Sequence, residues 1–387
     1  MAFAMIPNTR LLLHKLYYVF VDARPLPRTA ARQQMFVTCI ALAQSLVKQL
    51  LWAIDYVLYP GFTRVKIERP IFILAAPRTG STSLHRAVLA DKERFVAPVF
   101  VELFFPSVLF SKLAWRFRQS SLYPHVLALL EAFTEKNHMH TAELRQRHPM
   151  GMFKEEEDDV MMSSATYMGE MTFVANPHPD SWLYSTRWSK QPEWLQEYYV
   201  RIHKTAMQKI LYARGQGRTL VTKSHLIDLA PVLARLYPDA RFVTIVRPPA
   251  EQFPSFWSLH TCLARDLIRL DATGRVFLKM RLALIRELFD ASREFFGNGN
   301  NPLRRAVHFR DFIRGREDLV VRLYRDWGID IDERKLRAIV QEHGHDDDHV
   351  VGDKKHFRNA TLAEIGITAE ELDKQVGLPL LNFVSPL

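Results

Sequence analysis

Short apolar runs alternate along this chain with segments whose apolar positions recur every three or four residues. Pro70–Ala76, Arg218–His225, Arg241–Arg247 and Arg305–Asp311 read as strands. The pattern of Leu84, Ala87 and Val88, the segment Leu229–Leu236 closed by Pro238, and the stretch from Glu251 onward read as helices. Further helices are expected over Asp318–Trp327 and Glu333–Gln341, followed by a polar loop and a tail from Ala369 that ends in apolar residues. Strand, helix and strand with short joints make a βαβ unit, whose two strands run parallel. The expectation is an α/β fold: a central parallel sheet flanked by helices, forming one domain over 67–387. An insertion at about 105–215, rich in Phe, Trp, Tyr and Met, interrupts it. Within it, Pro177–Pro179 and Trp182–Trp194 are expected to form a loop-rich lid.

The first 66 residues form a separate helical region. Met1–Arg10 lacks the early positive charge and clean apolar run of a signal peptide. Gln33–Val47 is uncharged over 15 residues, too short to span a bilayer, and Lys48 and Asp55 interrupt the apolar stretch beyond it. Gln34, Thr38, Ser45, Lys48 and Asp55 share one helical stripe, which leaves a broad face of Phe36, Ile40, Leu46, Leu50, Leu51, Ile54, Val57 and Leu58. A long helix packed on the core is expected. The alternative is peripheral membrane contact through residues 33–60, with Trp52, Tyr56 and Tyr59 at headgroup level.

At 387 residues and 48% hydrophobic content, the chain can bury a full α/β core. The net charge of +10 suits anionic ligands or surfaces. Nucleic acid is not expected, because the basic residues are dispersed and no zinc-finger, RRM or helix-turn-helix pattern occurs. Two cysteines, Cys39 and Cys262, give no disulfide framework and suit a reducing, cytoplasmic setting.

The chemistry concentrates after the first strand, in Pro77-Arg78-Thr79-Gly80-Ser81-Thr82-Ser83. A strand that delivers such a turn to a helix N-terminus presents unpaired N–H groups and partial positive charge, suited to a phosphate or sulfate. The turn is not a Walker A loop: Ser81 stands where the lysine belongs, and the first glycine is absent. Magnesium-dependent γ-phosphate chemistry is therefore not expected. Arg78, Lys223, His225 and Arg247 all fall at predicted strand ends, where parallel sheets place their ligands.

These residues resemble the sulfotransferases that use 3′-phosphoadenosine 5′-phosphosulfate (PAPS). The turn is similar to the family's 5′-phosphosulfate loop, P-[KR]-[ST]-G-[ST]-T. Lys223-Ser224-His225 resembles the K-[ST]-H segment of the cytosolic branch, whose histidine is the base. Arg247 and Ser255, eight positions further on, resemble the pair that holds the 3′-phosphate. The resemblance covers about residues 70–260 and implies PAPS as donor, its adenosine bisphosphate (PAP) as product, and no metal. Departures point to a divergent, bacterial- or algal-type branch: Arg78 replaces lysine, Ser83 replaces an aromatic, and Phe309 stands where a tyrosine is usual. Lys354, Lys355 and Arg358 resemble only loosely the basic loop that closes on the 3′-phosphate.

On this reading Arg78 and Lys223 neutralise the departing phosphate, while Thr79, Gly80, Ser81, Thr82 and Ser83 cradle it. His225 takes the proton of a hydroxyl acceptor. Glu102, followed by aromatics that include Phe105, competes for the base role, as carbohydrate-type sulfotransferases carry a glutamate in a similar place. The run Glu155-Glu156-Glu157-Asp158-Asp159 is expected to be solvated, as charge runs usually are. Its alternative is that Glu156 or Glu157 faces an apolar acceptor pocket. Asp346–Asp348, between His345 and His349, fit no tight metal spacing and are expected in a polar loop. The acceptor expected is a small hydrophobic alcohol, lipid or phenol. A P-loop-fold phosphotransferase and a non-catalytic nucleotide- or membrane-binding module are the alternative readings.

Overall fold

β-branched and aromatic residues dominate the strands because both faces of the sheet are covered. The computed structural model describes Tyr17 and residues 27–136, 141–149, 151–159, 161, 188–215, 217–297, 301–343 and 358–377. Five strands, β1 (Ile71–Leu74), β2 (Phe95–Val96), β3 (Thr219–Ser224), β4 (Arg241–Val246) and β5 (Arg304–His308), form one sheet in the order β2-β3-β1-β4-β5. Every pairing is parallel. In β1, Phe72 and Leu74 enter one apolar core while Ile71 and Ile73 enter the other. That two-residue alternation across two buried faces explains why the strand reads as an unbroken apolar run.

The helices are α1 (Arg28–Leu58), α2 (Ser81–Val88), α3 (Phe100–Phe104), α4 (Val108–Arg118), α5 (Tyr123–Lys136), α6 (Ala142–Arg147), α7 (Glu193–Ile210) and α8 (Ala230–Leu236). They continue with α9 (Pro249–Ile268), α10 (Arg275–Phe296), α11 (Phe309–Arg314), α12 (Arg316–Asp326), α13 (Glu333–His343), α14 (Leu362–Ile365) and α15 (Ala369–Val376). One face of the sheet carries the core built from α7, α8, α9 and α10, joined by Trp52 of α1 and by α14 and α15. The other face carries α2, α12 and α13. The parallel α/β expectation holds, and the helices and strands read from the sequence are present to within a few residues. The two-residue edge strand β2 was not foreseen, being too short to show a pattern.

The N-terminal helix corrects one expectation. Gln34, Thr38, Lys48 and Asp55 are buried, while Phe36, Ile40, Leu46, Leu50, Val57 and Leu58 are exposed. The polar stripe faces the protein and the apolar stripe faces outward. Trp52 is buried and so does not stand at a headgroup level. Asp55 explains part of the inversion. It accepts the N–H groups of Val108 and Leu109 at 2.9 and 3.0 Å and the Ser107 hydroxyl at 3.0 Å, and so caps α4. It also pairs at 3.1 Å with the fully buried Lys209, whose ammonium sits 3.6 Å from the Trp52 ring centroid. The lid expected at 177–194 lies outside the described residues up to 187. From 188 on, it is a short 3₁₀ turn (Trp188–Lys190) leading into α7.

Candidate active site

The chain leaves β1 through Ala75 and Ala76 and turns sharply into α2. Arg78 and Gly80 both adopt positive φ, +65° and +98°. A side chain at position 80 would also meet the Phe309 ring at 2.8 Å, so glycine is required twice over. Two buried bonds brace the turn: Thr79 Oγ1 donates to the Ala76 carbonyl at 2.7 Å, and Gln252 Nε2 to the Pro77 carbonyl at 2.6 Å. The first helical bond returns from Leu84 to the Gly80 carbonyl. The N–H groups of Ser81, Thr82 and Ser83 therefore belong to the open first turn, which favours an anion.

β3 ends beside this turn, in register with β1 through the pairs Ile73–Lys223 and Leu74–Ser224. Lys223 is fully buried and donates to Thr82 Oγ1 at 2.7 Å and to Glu157 Oε1 at 2.6 Å. His225 Nδ1 lies 2.6 Å from the Ala75 carbonyl, which assigns the proton to Nδ1 and leaves Nε2 as the working nitrogen. Nε2 is 3.3 Å from the same Glu157 oxygen. Burial alone would raise the Glu157 carboxyl, but the Lys223 and His225 charges outweigh it and hold it well below the usual carboxylate range.

The acid run is thus a correction: Glu156, Asp158 and Asp159 are buried, not solvated. Residues 155 and 157 pair as isolated bridges with Val99 and Lys223, and the Asp158 N–H bonds to the Lys223 carbonyl. The run borders β3 and inserts Glu157 between two cationic or titratable groups. Glu156, desolvated, rises to about 7, with the Lys223 charge pulling the other way. His148, Glu156 and Glu157, and likewise Glu157, Asp159 and His225, hold ligand-type atoms within 4.8 Å of one another. Positive charge already reaches Glu157 there from the Lys223 ammonium.

β4 delivers Arg247 to the far side of the turn. Its guanidinium lies 4.4 Å from the Phe309 ring centroid, and Nη1 reaches the Arg78 carbonyl at 3.4 Å. Phe309, the first residue of α11 directly after β5, thereby packs under both Gly80 and Arg247. Ser255 is on α9, where its hydroxyl accepts from Arg78 Nε at 2.9 Å. Arg78 also donates to the Arg147 carbonyl at 3.1 Å, and Arg147 in turn donates to Asn359 Oδ1 and to the Arg358 carbonyl. Arg358 itself is exposed and paired with Glu364, two contacts beyond Arg78. Lys354, Lys355 and the Asp346–Asp348 loop lie outside the described residues.

Glu102 stands apart from this group. Its carboxylate is buried and takes Ser111 Oγ at 2.6 Å, Trp115 Nε1 at 3.0 Å, Arg214 Nε at 2.8 Å, Arg214 Nη2 at 2.7 Å and the Val99 N–H. Among the described residues it makes no hydrogen bond or ion pair with the turn, Lys223 or His225. Arg214 comes from a π-helical turn, Leu211–Gly215, that ends α7. Phe105 packs on Phe110 at 4.8 Å between centroids, beside the same group. Gln252, Arg147 and the support from Phe309 were not foreseen. Their signal is tertiary: none lies near the turn in sequence.

An anion-binding turn at the carboxyl end of a parallel sheet, with lysine, histidine and arginine from two further strand ends, agrees with the comparisons with known proteins. A model of the sulfotransferase family matches residues 70–333. The chain belongs to the sulfotransferase family. It is 26% identical over 269 residues to the omega-hydroxy-beta-dihydromenaquinone-9 sulfotransferases Stf3 of Mycobacterium bovis and Mycobacterium tuberculosis, over 68% of this chain. The match spans 63% of the length of those relatives. The crystal structure of sulfotransferase STF1 from Mycobacterium tuberculosis superposes with a TM-score of 0.68 at 20% identity, covering 96% of this chain and 92% of that one. STF9 from Mycobacterium avium gives 0.68 at 17% identity, with 98% and 97% covered. These two likenesses establish the fold.

Proposed function

We propose that this sulfotransferase moves a sulfuryl group from PAPS to the hydroxyl of a hydrophobic, lipid-like alcohol. One observation carries the reading: the open turn Arg78–Ser83, Lys223, His225 and Arg247 gather at the carboxyl ends of β1, β3 and β4. Their chemistry fits the donor. The turn and Thr82 would hold the 5′-phosphate, and Arg247 with Ser255 the 3′-phosphate, where a planar fork suits a dianion. Bound PAPS would supply an activated sulfuryl group whose departure loads charge onto a phosphate oxygen.

The protein's own part is to place cations and a base. Lys223, in contact with Thr82, and Arg78 stand where that charge develops, and being held by β3 and by Ser255 they need little reorganisation. His225 keeps Nδ1–H on the Ala75 carbonyl and takes the acceptor proton at Nε2. The ionised Glu157 stabilises the imidazolium that results. Glu102 is not assigned the base role, because five donors hold its two oxygens. The related Stf3 proteins are named for a hydroxylated menaquinone acceptor, which supports a lipid-like alcohol here.

The test is to incubate the full chain with radiosulfur-labelled PAPS and a panel of alcohols: a long-chain isoprenoid alcohol, a short soluble alcohol and a sugar. Labelling of the isoprenoid and the short alcohol, with stoichiometric PAP release, is expected. Labelling of the sugar alone would overturn the acceptor assignment. PAP release with no labelled product would overturn the transfer.

A further inference from the structure

α1 is turned inside out. Along a regular helix each residue advances about 100° around the axis, so solvent-facing positions normally collect the polar residues. Here every residue described as exposed from Met35 to Leu58 is apolar, apart from the thiol of Cys39. These positions fall within a sector of about 140°. Leu46 is 74% exposed and Val57 78%. The opposite sector holds the buried Gln34, Thr38, Lys48 and Asp55. A helix with that polarity is arranged for an apolar medium on its outer side.

We propose that this face of α1 lies in the plane of an anionic phospholipid bilayer and docks the enzyme on it. Three observations select that occupant. First, α1 is fixed lengthwise and does not stand free to cross a membrane. Ala30 packs with Ile268 and Leu270 of the α9 end, and Trp52 enters the main core. Second, the exposed charge on α1 and its neighbour α4 has one sign. Arg28 and Arg32 are exposed and open the same sector, and the neighbouring α4 adds the exposed Lys112, Arg116 and Arg118. The two helices together contain a single carboxylate, the buried Asp55. An apolar stripe edged by arginine and lysine matches acyl chains beneath anionic headgroups. Third, the face is joined to the site by packed contacts. Asp55 caps α4, and the Lys48 ammonium lies 5.7 Å from the Phe104 ring centroid. The N–H groups of Phe100 and Val101 bond to the 152–154 segment that leads to Glu157.

The docking surface stands on its own geometry, and only its purpose, delivery of a lipid alcohol, rests on the proposed function. The test is flotation of the full chain with vesicles of phosphatidylcholine, with and without phosphatidylglycerol. The wild type is expected to float with the anionic vesicles, and less so at high salt. Leu46→Glu/Leu50→Glu, at two exposed positions, is expected to lower the bound fraction at least about tenfold. Its melting temperature, PAP affinity and turnover of a short soluble alcohol should remain unchanged. Three results would each overturn the proposal. One is wild-type protein that stays in the aqueous phase with both vesicles. Another is a double variant that floats as well as the wild type. The last is a solution dimer that the double variant converts to monomer, which would give the face to a second copy. Vesicle binding without turnover of any alcohol would instead count against the proposed function alone.

Discussion

His225 and Glu156 show how one short stretch of contacts sets the behaviour of single residues. With Nδ1 committed to the Ala75 carbonyl, His225 has one nitrogen left for chemistry. His225→Ala should lower turnover at least about a hundredfold, while calorimetry shows PAP affinity within about threefold of wild type. Near-normal turnover would move the base role to Glu157. Glu156 gives a pH signature. Its folded-state value of about 7 lies above the ordinary 4.5, so the native state holds the extra proton between those limits. Stability from this group is therefore present at low pH and lost as pH rises toward about 7. Glu156→Gln should raise the melting temperature at pH 8 by at least about 2 °C and leave it unchanged near pH 4.5. Equal effects at both pH values would show that the carboxyl is not desolvated. At this scale much of the candidate site was legible: the turn, Lys223, His225 and Arg247 carry their chemistry in their residue types and in their position after apolar runs. Ser255 was legible only as a partner of Arg247, yet its hydroxyl holds Arg78. Glu157 was one of five consecutive acids, and composition says nothing about which of them the β3 edge pulls inward.

Among the elements, the turn and α1 depend on neighbours remote in sequence. The stripe of Gln34, Thr38, Lys48 and Asp55 was visible in the helical period. Which side of the helix faced the protein was not, because periodicity gives the direction of a face and not what covers it. The deciding contacts are Lys209 on α7 and the N-terminus of α4, neither of which the local pattern contains. Asp55 serves both, so the elements are coupled through one carboxylate. Asp55→Asn should destabilise the fold by about 3–5 kcal/mol by leaving Lys209 buried without its counter-charge. Lys209→Met in the same chain should return a large part of that loss, since the charge that needed compensation is gone. Denaturant melts of the two single variants and the double variant read this directly. Additive losses would mean that Asp55 acts through the α4 cap alone. The Lys209 ammonium, brought down to about 8 chiefly by burial, already shows how strongly that pocket disfavours an unpaired charge.

For the whole molecule, the parallel sheet is what assembles the site, since its strand ends all open on one edge. Binding at that edge should therefore stabilise every element it joins. PAP at about a hundred times its dissociation constant should add about 2.7 kcal/mol, read as a higher melting temperature, whereas adenosine should add nothing. Arg247→Ala should reduce the gain from PAP more than the gain from adenosine 5′-phosphate. Equal losses would remove Arg247 from the 3′-phosphate. The sheet class was readable from the βαβ spacing. The strand order was not, because β1 lies between partners that the chain reaches only after a long excursion.

That excursion has a consequence for how the protein is made. β1 pairs with β3 and β4, whose partner residues begin at Val221 and Arg241, so the central strand has no neighbour until some 150 residues have followed it off the ribosome. At ordinary rates of translation that is roughly eight to thirty seconds during which the nascent Ile71–Leu74 segment waits uncovered. A holding chaperone that shields the apolar strand would protect the chain over that interval.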